Sequence, residues 1–279
     1  MKQIRTLALM LLALSWLGTA KAAPQHGRPR LVVTMMVDQM TWDYLYRYQA
    51  RFSEGGFKRL LTQGFNCENT RINYIPSVTA IGHSSVHTGS VPAIHGIAGN
   101  DFEKDGKPIY CTEDTSVATV GAPNGKSGQM SPRNLLTTTI ADELRIATNF
   151  RSKTIGVAIK DRASILPAGH TTNGAYWLDD KTGHFITSTY YMQDLPQWVK
   201  DFNARGRVTE LLMLGWAPLY PLSTYKESTA DDVRYEQPWG KNGEHPATLP
   251  LNTAELMKEQ GLGVIRTTPM GTTLTFEMA

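Results

Sequence analysis

Two continuous apolar runs stand out along the chain, and each is closed by a charged residue. Residues 31–37 read LVVTMMV and precede Asp38, and residues 153–159 read KTIGVAI and precede Lys160. Apolar runs of this length are typical of central strands that an α/β sheet covers on both faces. Such folds place their sites at the carboxyl ends of strands, which is where Asp38 is predicted to lie.

Amphipathic segments between these runs predict helices. Residues 42–48 and 57–61 have a helical pattern, and a stripe with i, i+4 spacing follows further along the chain. The stripe consists of Leu136, Ile140, Ala141, Leu144 and Thr148. Its spacing is typical of a helix packed on a sheet. Because predicted strands and helices alternate, the pattern indicates the α/β class.

The pattern changes after the second apolar run. Residues 173–190 alternate as short strands do, with the turn sequence DDKTG at 179–183 between them. Residues 218–250 are rich in proline, serine, glycine and charge. This composition favours a long surface excursion over a linker between domains.

The N-terminus has the features of a cleaved signal peptide over residues 1–22. Lys2 and Arg5 precede an apolar run at 7–17, and AKA at 20–22 has the small-x-small form of a cleavage site. An uncleaved anchor is the alternative, but a bilayer requires about 20 apolar residues. We therefore expect a periplasmic or secreted protein without membrane attachment after cleavage.

The charge composition of the chain limits the classes of molecule that it can be expected to bind. Charged residues make up 19% of the 279 residues, the formal net charge is +3, and lysine and arginine are not clustered. This distribution argues against a nucleic-acid partner. An oxidising compartment would allow Cys67 and Cys111 to form a disulfide. Two buried thiols are the equal alternative, because sequence does not give their separation.

Residues 73–100, NYIPSVTAIGHSSVHTGSVPAIHGIAGN, are dense in groups that carry chemistry. Proline and serine predict a turn, after which a helix can begin near Thr79. A hydroxyl at a helix N-terminus lies beside free N–H groups at the positive end of the dipole, which suits a phosphoryl oxygen. The same position also fits an ordinary N-cap, so the segment alone leaves both roles open.

Two other chemistries fit this segment less well. His83 and His87 have the i, i+4 spacing of a zinc pair, but Ser84 stands where zinc proteases have their glutamate base. Ser84 or Ser85 could serve a serine hydrolase, yet neither lies in a G-x-S-x-G elbow.

Five ordered blocks resemble the alkaline phosphatase superfamily, specifically the periplasmic, phosphate-irrepressible type with a threonine nucleophile. They are VDQMTWDYL, the GGF, RLL and G pattern of 55–64, NYIPSVTAIGHSSVHTG, PAIHGIAGN and KDRASILPAGH. The resemblance implies a mostly parallel central sheet flanked by helices, with a small accessory hairpin and loop region at about 171–260. It implies one catalytic domain over 23–279. His87 and Ile81 depart from the family pattern, at positions without a catalytic role.

The resemblance also implies roles for individual residues. Asp38 corresponds to a zinc ligand, and Thr79 to the nucleophile that one of two zinc ions holds. Asn100, Lys160 and Arg162 correspond to groups that bind the phosphoryl oxygens. The implied reaction is zinc-dependent hydrolysis of phosphate monoesters through a phosphothreonine intermediate. The cationic pair favours a monoester, because a monoester presents a dianion. Hydrolysis of diesters or nucleotide pyrophosphates, and hydrolysis of sulfate esters, are the alternatives.

The zinc ligands that the family supplies from its second half are not found in this sequence. D-H-G is absent, and the D-x-x-x-H formed by Asp180 and His184 lies in the predicted turn, where side chains face solvent. The chain therefore resembles an N-terminal half and is expected to be poorly active. A non-catalytic protein that binds anions through Asn100, Lys160 and Arg162 is the alternative.

Overall fold

A computed structural model describes residues 29–123 and 125–279. The chain divides into two compact units, Met1–Val37 and Asp38–Ala279. The predicted signal peptide and its cleavage site lie outside the described residues. Within the described ranges, no helix is both long enough and apolar enough to cross a membrane.

In the first unit, the predicted strand at 31–37 is wrong. Residues 29–37 contain neither helix nor strand, and their apolar side chains are exposed, with Leu31 at 79% and Val33 at 72%. A strand exists only through hydrogen bonds to a neighbouring strand. The apolar run shows that this segment favours burial, but it does not show that a partner is present.

The second unit alternates strands and helices, which confirms the α/β class. The helices are α1 Asp43–Arg47, α2 Gly56–Gln63, α3 Thr79–Thr88, α4 Pro92–His95, α5 Ile140–Ala147, α6 Asp161–Ala168, α7 Gln197–Ala204, α8 Arg207–Leu212, α9 Thr253–Gln260 and α10 Pro269–Met278. The strands are β1 Asp101–Lys104, β2 Lys107–Tyr110, β3 Thr119–Val120, β4 Ile155–Val157, β5 Gly174–Leu178 and β6 Phe185–Ser188. Short 3-10 helices lie at Gln49–Arg51, Lys126–Gly128, Leu222–Thr224 and Leu262–Thr267.

The main sheet of the described residues has the order β3-β6-β5-β4. It is mixed: β4 pairs parallel with β5, while β6 pairs antiparallel with both β5 and β3. The predicted second strand is confirmed as β4, and the predicted alternating strands are confirmed as β5 and β6. The turn between them is closed by the Gly183 N–H, which donates to the Asp179 carbonyl. Separately, β1 and β2 form an antiparallel hairpin.

Both faces of β5 and β6 are buried. On one face, Tyr176, Leu178 and Phe185 belong to a core cluster with residues of α7, α8, α9 and α10. On the other face, Trp177 and Ile186 pack with Ile165 of α6. This second contact fixes α6 against the sheet, and it places the first turn of α6 beside the end of β4.

Helix α5 lies within the predicted stripe of residues 136–148, but this stripe does not pack on a sheet in the described residues. Ile140 is 63% exposed, and Leu136 and Leu144 are also exposed. The buried residue of the helix is Asp142, at 0% exposure. Thr139 and Asp142 form a capping box, in which each side chain bonds the backbone N–H of the other. A polar anchor rather than an apolar face therefore attaches this helix.

The predicted surface excursion is confirmed. Residues 218–250 are mostly irregular and carry many exposed side chains. Its two ends are joined, because Trp216 and Leu251 exchange backbone hydrogen bonds of 2.9 and 2.7 Å.

Candidate active site

Thr79 is the first residue of α3 and not its N-cap, which is the extended Val78. The N-cap interpretation of Thr79 is therefore wrong. Its hydroxyl Oγ1 instead donates to Oδ2 of Asp38 at 2.9 Å. The residue is nearly buried, at the end of a helix where N–H groups and the positive end of the dipole converge.

Asn100 lies at the same helix end. Its Oδ1 accepts a 3.0 Å hydrogen bond from the Ala80 N–H in the first turn of α3. This bond fixes the orientation of the amide, because the oxygen must face the backbone donor. The Nδ2 group, which carries two donors, is left on the other side of the amide. Asn100 thus caps the helix and offers N–H groups beside Thr79.

Lys160 and Arg162 come from the start of α6. Lys160 is the N-cap, and its Nζ lies 3.7 Å from Oδ2 of Asp38, the atom that also accepts from Thr79. Arg162 lies in the first helical turn. Only Lys160 of the two has extended backbone, because Arg162 already lies within the helix. The structure brings Asp38, Thr79 and Lys160 into one chain of contacts.

Arg162 interacts electrostatically with the helix turn that contains Thr79. Burial is the main reason that the pKa of His83 is lowered, while the Thr79 carbonyl and Asp38 oppose the shift and Arg162 adds to it. Burial also works against the charge of Arg162. Its hydrogen bond to Tyr110 and the nearby Asp161 outweigh that effect and raise its pKa. Arg162 is therefore a permanent cation whose field reaches the same helix turn as Asp38.

The two histidines of α3 and Ser85 have structural partners, whereas the buried Ser84 Oγ has no hydrogen-bond partner among the described residues. Nδ1 of His83 donates to the Thr79 carbonyl, and Nδ1 of His87 donates to the His83 carbonyl, both at 2.9 Å. Ser85 Oγ lies 2.9 Å from Nε2 of buried His95. Sequence reasoning missed this pair.

The Ser85 and His95 pair does not have the proton arrangement of a serine hydrolase. Nδ1 of His95 accepts from the Ile97 N–H, so the proton of the neutral ring is on Nε2 and is donated to Ser85. Nε2 therefore has no lone pair with which to activate the serine hydroxyl.

The residues present do not by themselves fit a catalytic zinc site. Asp38 and Thr79 offer one carboxylate and one hydroxyl, whereas such sites have about three protein ligands and an open position. Over 29–123 and 125–279, no group of three or more His, Cys, Asp or Glu residues is arranged to hold a metal ion. Asp180, from the D-x-x-x-H sequence, instead accepts a hydrogen bond at Oδ1 from Nε of Arg266 at 2.5 Å.

Three further residues of the site neighbourhood were not found by sequence reasoning. They are Tyr110, which accepts a hydrogen bond from Arg162, and Asp161 and Thr112, since Asp161 accepts from both Tyr110 and Thr112. Tyr110 and Thr112 are about 50 residues from Arg162, so a sequence pattern gives no signal for the contact. Between them, Cys111 is a buried free thiol, and Cys67 is an exposed one, so the structure contains no disulfide between the two.

The chain is similar to a known protein family and to several known proteins. The family model described as type I phosphodiesterase / nucleotide pyrophosphatase matches residues 32–268. A Myroides odoratus protein named calcium-transporting ATPase is 58% identical over 260 residues, which are 92% of this chain and 47% of that protein. Alkaline phosphatase PafA of Elizabethkingia meningoseptica is 54% identical over 254 residues, which are 90% of this chain and 46% of that protein.

Solved structures agree with these relatives. The crystal structure of wild-type PafA matches with a TM-score of 0.86 at 53% identity, covering 91% of this chain and 49% of that one. A PafA variant with one threonine, one asparagine, one lysine and one arginine replaced matches with a TM-score of 0.83 at 51% identity, covering 87% and 47%. The chain spans about half the length of the relatives it matches.

These matches confirm an alkaline-phosphatase-like fold, since the similarity extends over most of the chain at high identity. The family model covers well over half of the residues, including Asp38, Thr79, Asn100, Lys160 and Arg162. The chain therefore belongs to the type I phosphodiesterase / nucleotide pyrophosphatase family.

Proposed function

We propose that this chain carries the nucleophile and phosphate-binding half of a zinc-dependent alkaline phosphatase acting on phosphate monoesters. The observation that carries the proposal is the contact between Thr79 Oγ1 and Asp38 Oδ2 at the N-terminus of α3. Lys160 approaches the same carboxylate and Asn100 caps the same helix. A nucleophile, donors and positive charge thus surround one point where a phosphoryl group can bind.

The proposed chemistry assigns each residue a role. Thr79 Oγ attacks phosphorus and displaces the leaving oxygen, which forms a phosphothreonine that water then hydrolyses. Phosphoryl transfer depends mainly on positioning and on neutralising the equatorial oxygens. Asn100 Nδ2, Lys160 and Arg162 supply those contacts, while Asp38 holds the Thr79 hydroxyl. The preference for monoesters follows from the cationic pair, because a monoester presents a dianion.

Zinc is the metal we propose for the site, with Asp38 and Thr79 among its ligands. Zinc held there would supply positive charge beside the Thr79 hydroxyl. Two protein ligands hold zinc weakly, so we expect the chain alone to be poorly active. We further propose that residues 23–279 form one exported, periplasmic or secreted domain, with an accessory region at about 171–260.

Two other substrate classes deserve direct comparison. The family name of the matching model includes phosphodiesterases, and one relative is named as an ATPase. A diester carries one negative charge at its phosphoryl group, whereas the terminal phosphoryl group of ATP and an aryl monoester are dianions. Neutralisation by Lys160 and Arg162 therefore favours the latter two over a diester and a sulfate ester.

The test is hydrolysis of an aryl phosphate, an aryl phosphodiester, an aryl sulfate and ATP, with and without added zinc. It uses the purified chain and a chimera that joins it to the part of PafA beyond the matched region. Thr79→Ala should remove at least 99% of monoesterase activity in the chimera, as expected for a lost nucleophile. Thr88→Ala, at the other end of α3, is the matched control and should leave the rate within about twofold.

Retained monoesterase activity in the Thr79→Ala chimera would contradict the assignment of the nucleophile. Trapping at low pH followed by peptide mapping gives an independent answer. A phosphoryl label should appear on Thr79, and label on Ser84 or Ser85 would identify a different nucleophile.

A further inference from the structure

One edge of the Arg162 guanidinium is fastened by a short hydrogen-bonded chain. Nη1 of Arg162 donates to the Tyr110 hydroxyl at 2.8 Å, and that hydroxyl donates to Oδ1 of Asp161 at 2.8 Å. Thr112 Oγ1 donates to the other oxygen, Oδ2, at 2.9 Å. The direction is fixed, because a guanidinium only donates and a carboxylate only accepts, so Tyr110 donates its one phenolic proton to Asp161.

The partners in this chain come from rigid places. Tyr110 ends β2, and Thr112 follows it as a fully buried residue. Asp161 is the first residue of α6, where a carboxylate is stabilised by the helix dipole. The hairpin β1-β2 and helix α6 are thereby joined at the base of the Arg162 side chain.

Among the residues that the structure describes, none hydrogen-bonds the other edge of the guanidinium. Nε of Arg162 is buried and has no hydrogen-bond partner among the described residues. A buried N–H without an acceptor is costly, and a bound ion is one of the explanations for such a group in a folded protein. The Nε and Nη2 groups of arginine point in parallel and match two oxygens of a phosphate or carboxylate.

We propose that Tyr110 is a positioning residue for Arg162, acting with Asp161 and Thr112 to direct the Nε and Nη2 edge at a tetrahedral dianion. This inference rests on the proposed function, because it assigns the dianion to the phosphoryl group bound beside Thr79. A free arginine side chain loses rotamer entropy when it binds an anion. The hydrogen bond from Nη1 to Tyr110 orders the side chain before the anion binds, which lowers that entropy cost and excludes other orientations of the guanidinium.

The binding test uses inorganic phosphate and the full chain in isothermal titration calorimetry. Tyr110→Phe keeps the ring and removes the hydroxyl, and it should weaken phosphate binding about tenfold. Arg162→Ala should weaken it at least as much. The double variant should bind no more weakly than Arg162→Ala alone, because Tyr110 acts only through the arginine. Tyr190→Phe, whose hydroxyl bonds the His170 carbonyl, is the control and should bind as the wild type does.

A second readout does not depend on phosphate. In protein labelled with ¹⁵N-arginine, the Nε proton of Arg162 should exchange with water faster in Tyr110→Phe than in the wild type. Thr112→Val should show the same direction, and Thr112→Ser, which keeps the hydroxyl, should restore slow exchange. If Tyr110→Phe does not fold, phosphate affinity and Nε proton exchange are both measured on the Thr112 variants.

The outcomes separate the two claims. Wild-type chain that binds no phosphate, or Arg162→Ala that binds it normally, would contradict the proposed function, and the exchange rates would then decide the positioning. Tyr110→Phe with normal phosphate affinity, beside an impaired Arg162→Ala, would overturn the positioning inference alone. Additive losses in the double variant would also overturn it, since they would show that Tyr110 acts on the fold rather than through Arg162.

Discussion

The sequence predicts strands both in the β5-β6 hairpin and at residues 31–37, and the two regions have opposite environments. Strands β5 and β6 are buried at every position, whereas residues 31–37 are exposed throughout and form no ladder. β5 has a strand on each edge, and it contacts helices on both faces. The difference teaches that an apolar pattern records a tendency to be buried, while neighbouring elements decide whether burial occurs.

A substitution in the buried β5-β6 hairpin should cause the greatest loss of stability. Phe185 is at 0% exposure and packs edge-on against Phe202, with ring centroids 5.8 Å apart. Phe185→Ala should lower the free energy of unfolding by about 3–5 kcal/mol, because it leaves a cavity as well as removing buried apolar surface. Urea denaturation measures the change. Val33→Ala is the matched control, expected within about 0.5 kcal/mol. Equal losses would show that residues 31–37 are buried in solution.

A smaller loss of stability is expected at α5, which a buried polar residue rather than an apolar face attaches to the rest of the unit. Asp142 accepts backbone N–H bonds from Thr139, His170 and Thr171, at 3.0, 3.2 and 2.7 Å. Asp142→Asn should lower the free energy of unfolding by about 2–3 kcal/mol, because the new NH₂ group faces donors.

The control for that variant is Ile140→Ala on the exposed side of the same helix, expected to change stability by at most about 0.5 kcal/mol. The measurement is again urea denaturation. A larger loss in Ile140→Ala than in Asp142→Asn would mean that the apolar stripe is covered after all.

The smallest effect is a pH dependence at the same anchor. His170 has two acceptors, with Nδ1 3.4 Å from Asp142 Oδ2 and Nε2 2.9 Å from the Leu135 carbonyl, and this arrangement favours the imidazolium. The hydrogen bond to Asp142 is the main cause that raises the pKa of His170, and burial opposes it. Its contribution to stability is therefore complete below the unfolded pKa of about 6.5 and is lost as pH rises through the higher folded value.

Asp142 responds in the opposite direction. Burial works against its charge, but hydrogen bonds from His170, Thr139 and Thr171 outweigh burial and hold its pKa well below the usual range. Its contribution is complete above the unfolded pKa of about 4 and is lost as pH falls through the folded value. Wild type and His170→Ala should thus differ most in stability between about pH 4 and 6.5. A difference that grows above neutral pH would contradict this account.

Several features of the site were predictable because they depend on local chemistry. The helix start at Thr79 follows from the preceding turn sequence, and the strand at 155–157 and the hairpin with its turn at 179–183 follow from local patterns. The candidate residues came from a family resemblance, and the structure brings Asp38, Thr79 and Lys160 into contact. Their catalytic roles stay predictions until the variants are measured.

By itself, the sequence determined the α/β class and the position of α3, since these depend on neighbours along the chain. Only the tertiary structure decided that residues 31–37 lie unpaired, that α5 is held by Asp142, and that Tyr110 reaches Arg162 across 52 positions. The physical reason is range. Helix starts and turns are set by bonds within a few residues, whereas burial and side-chain networks depend on which distant segments fold against each other.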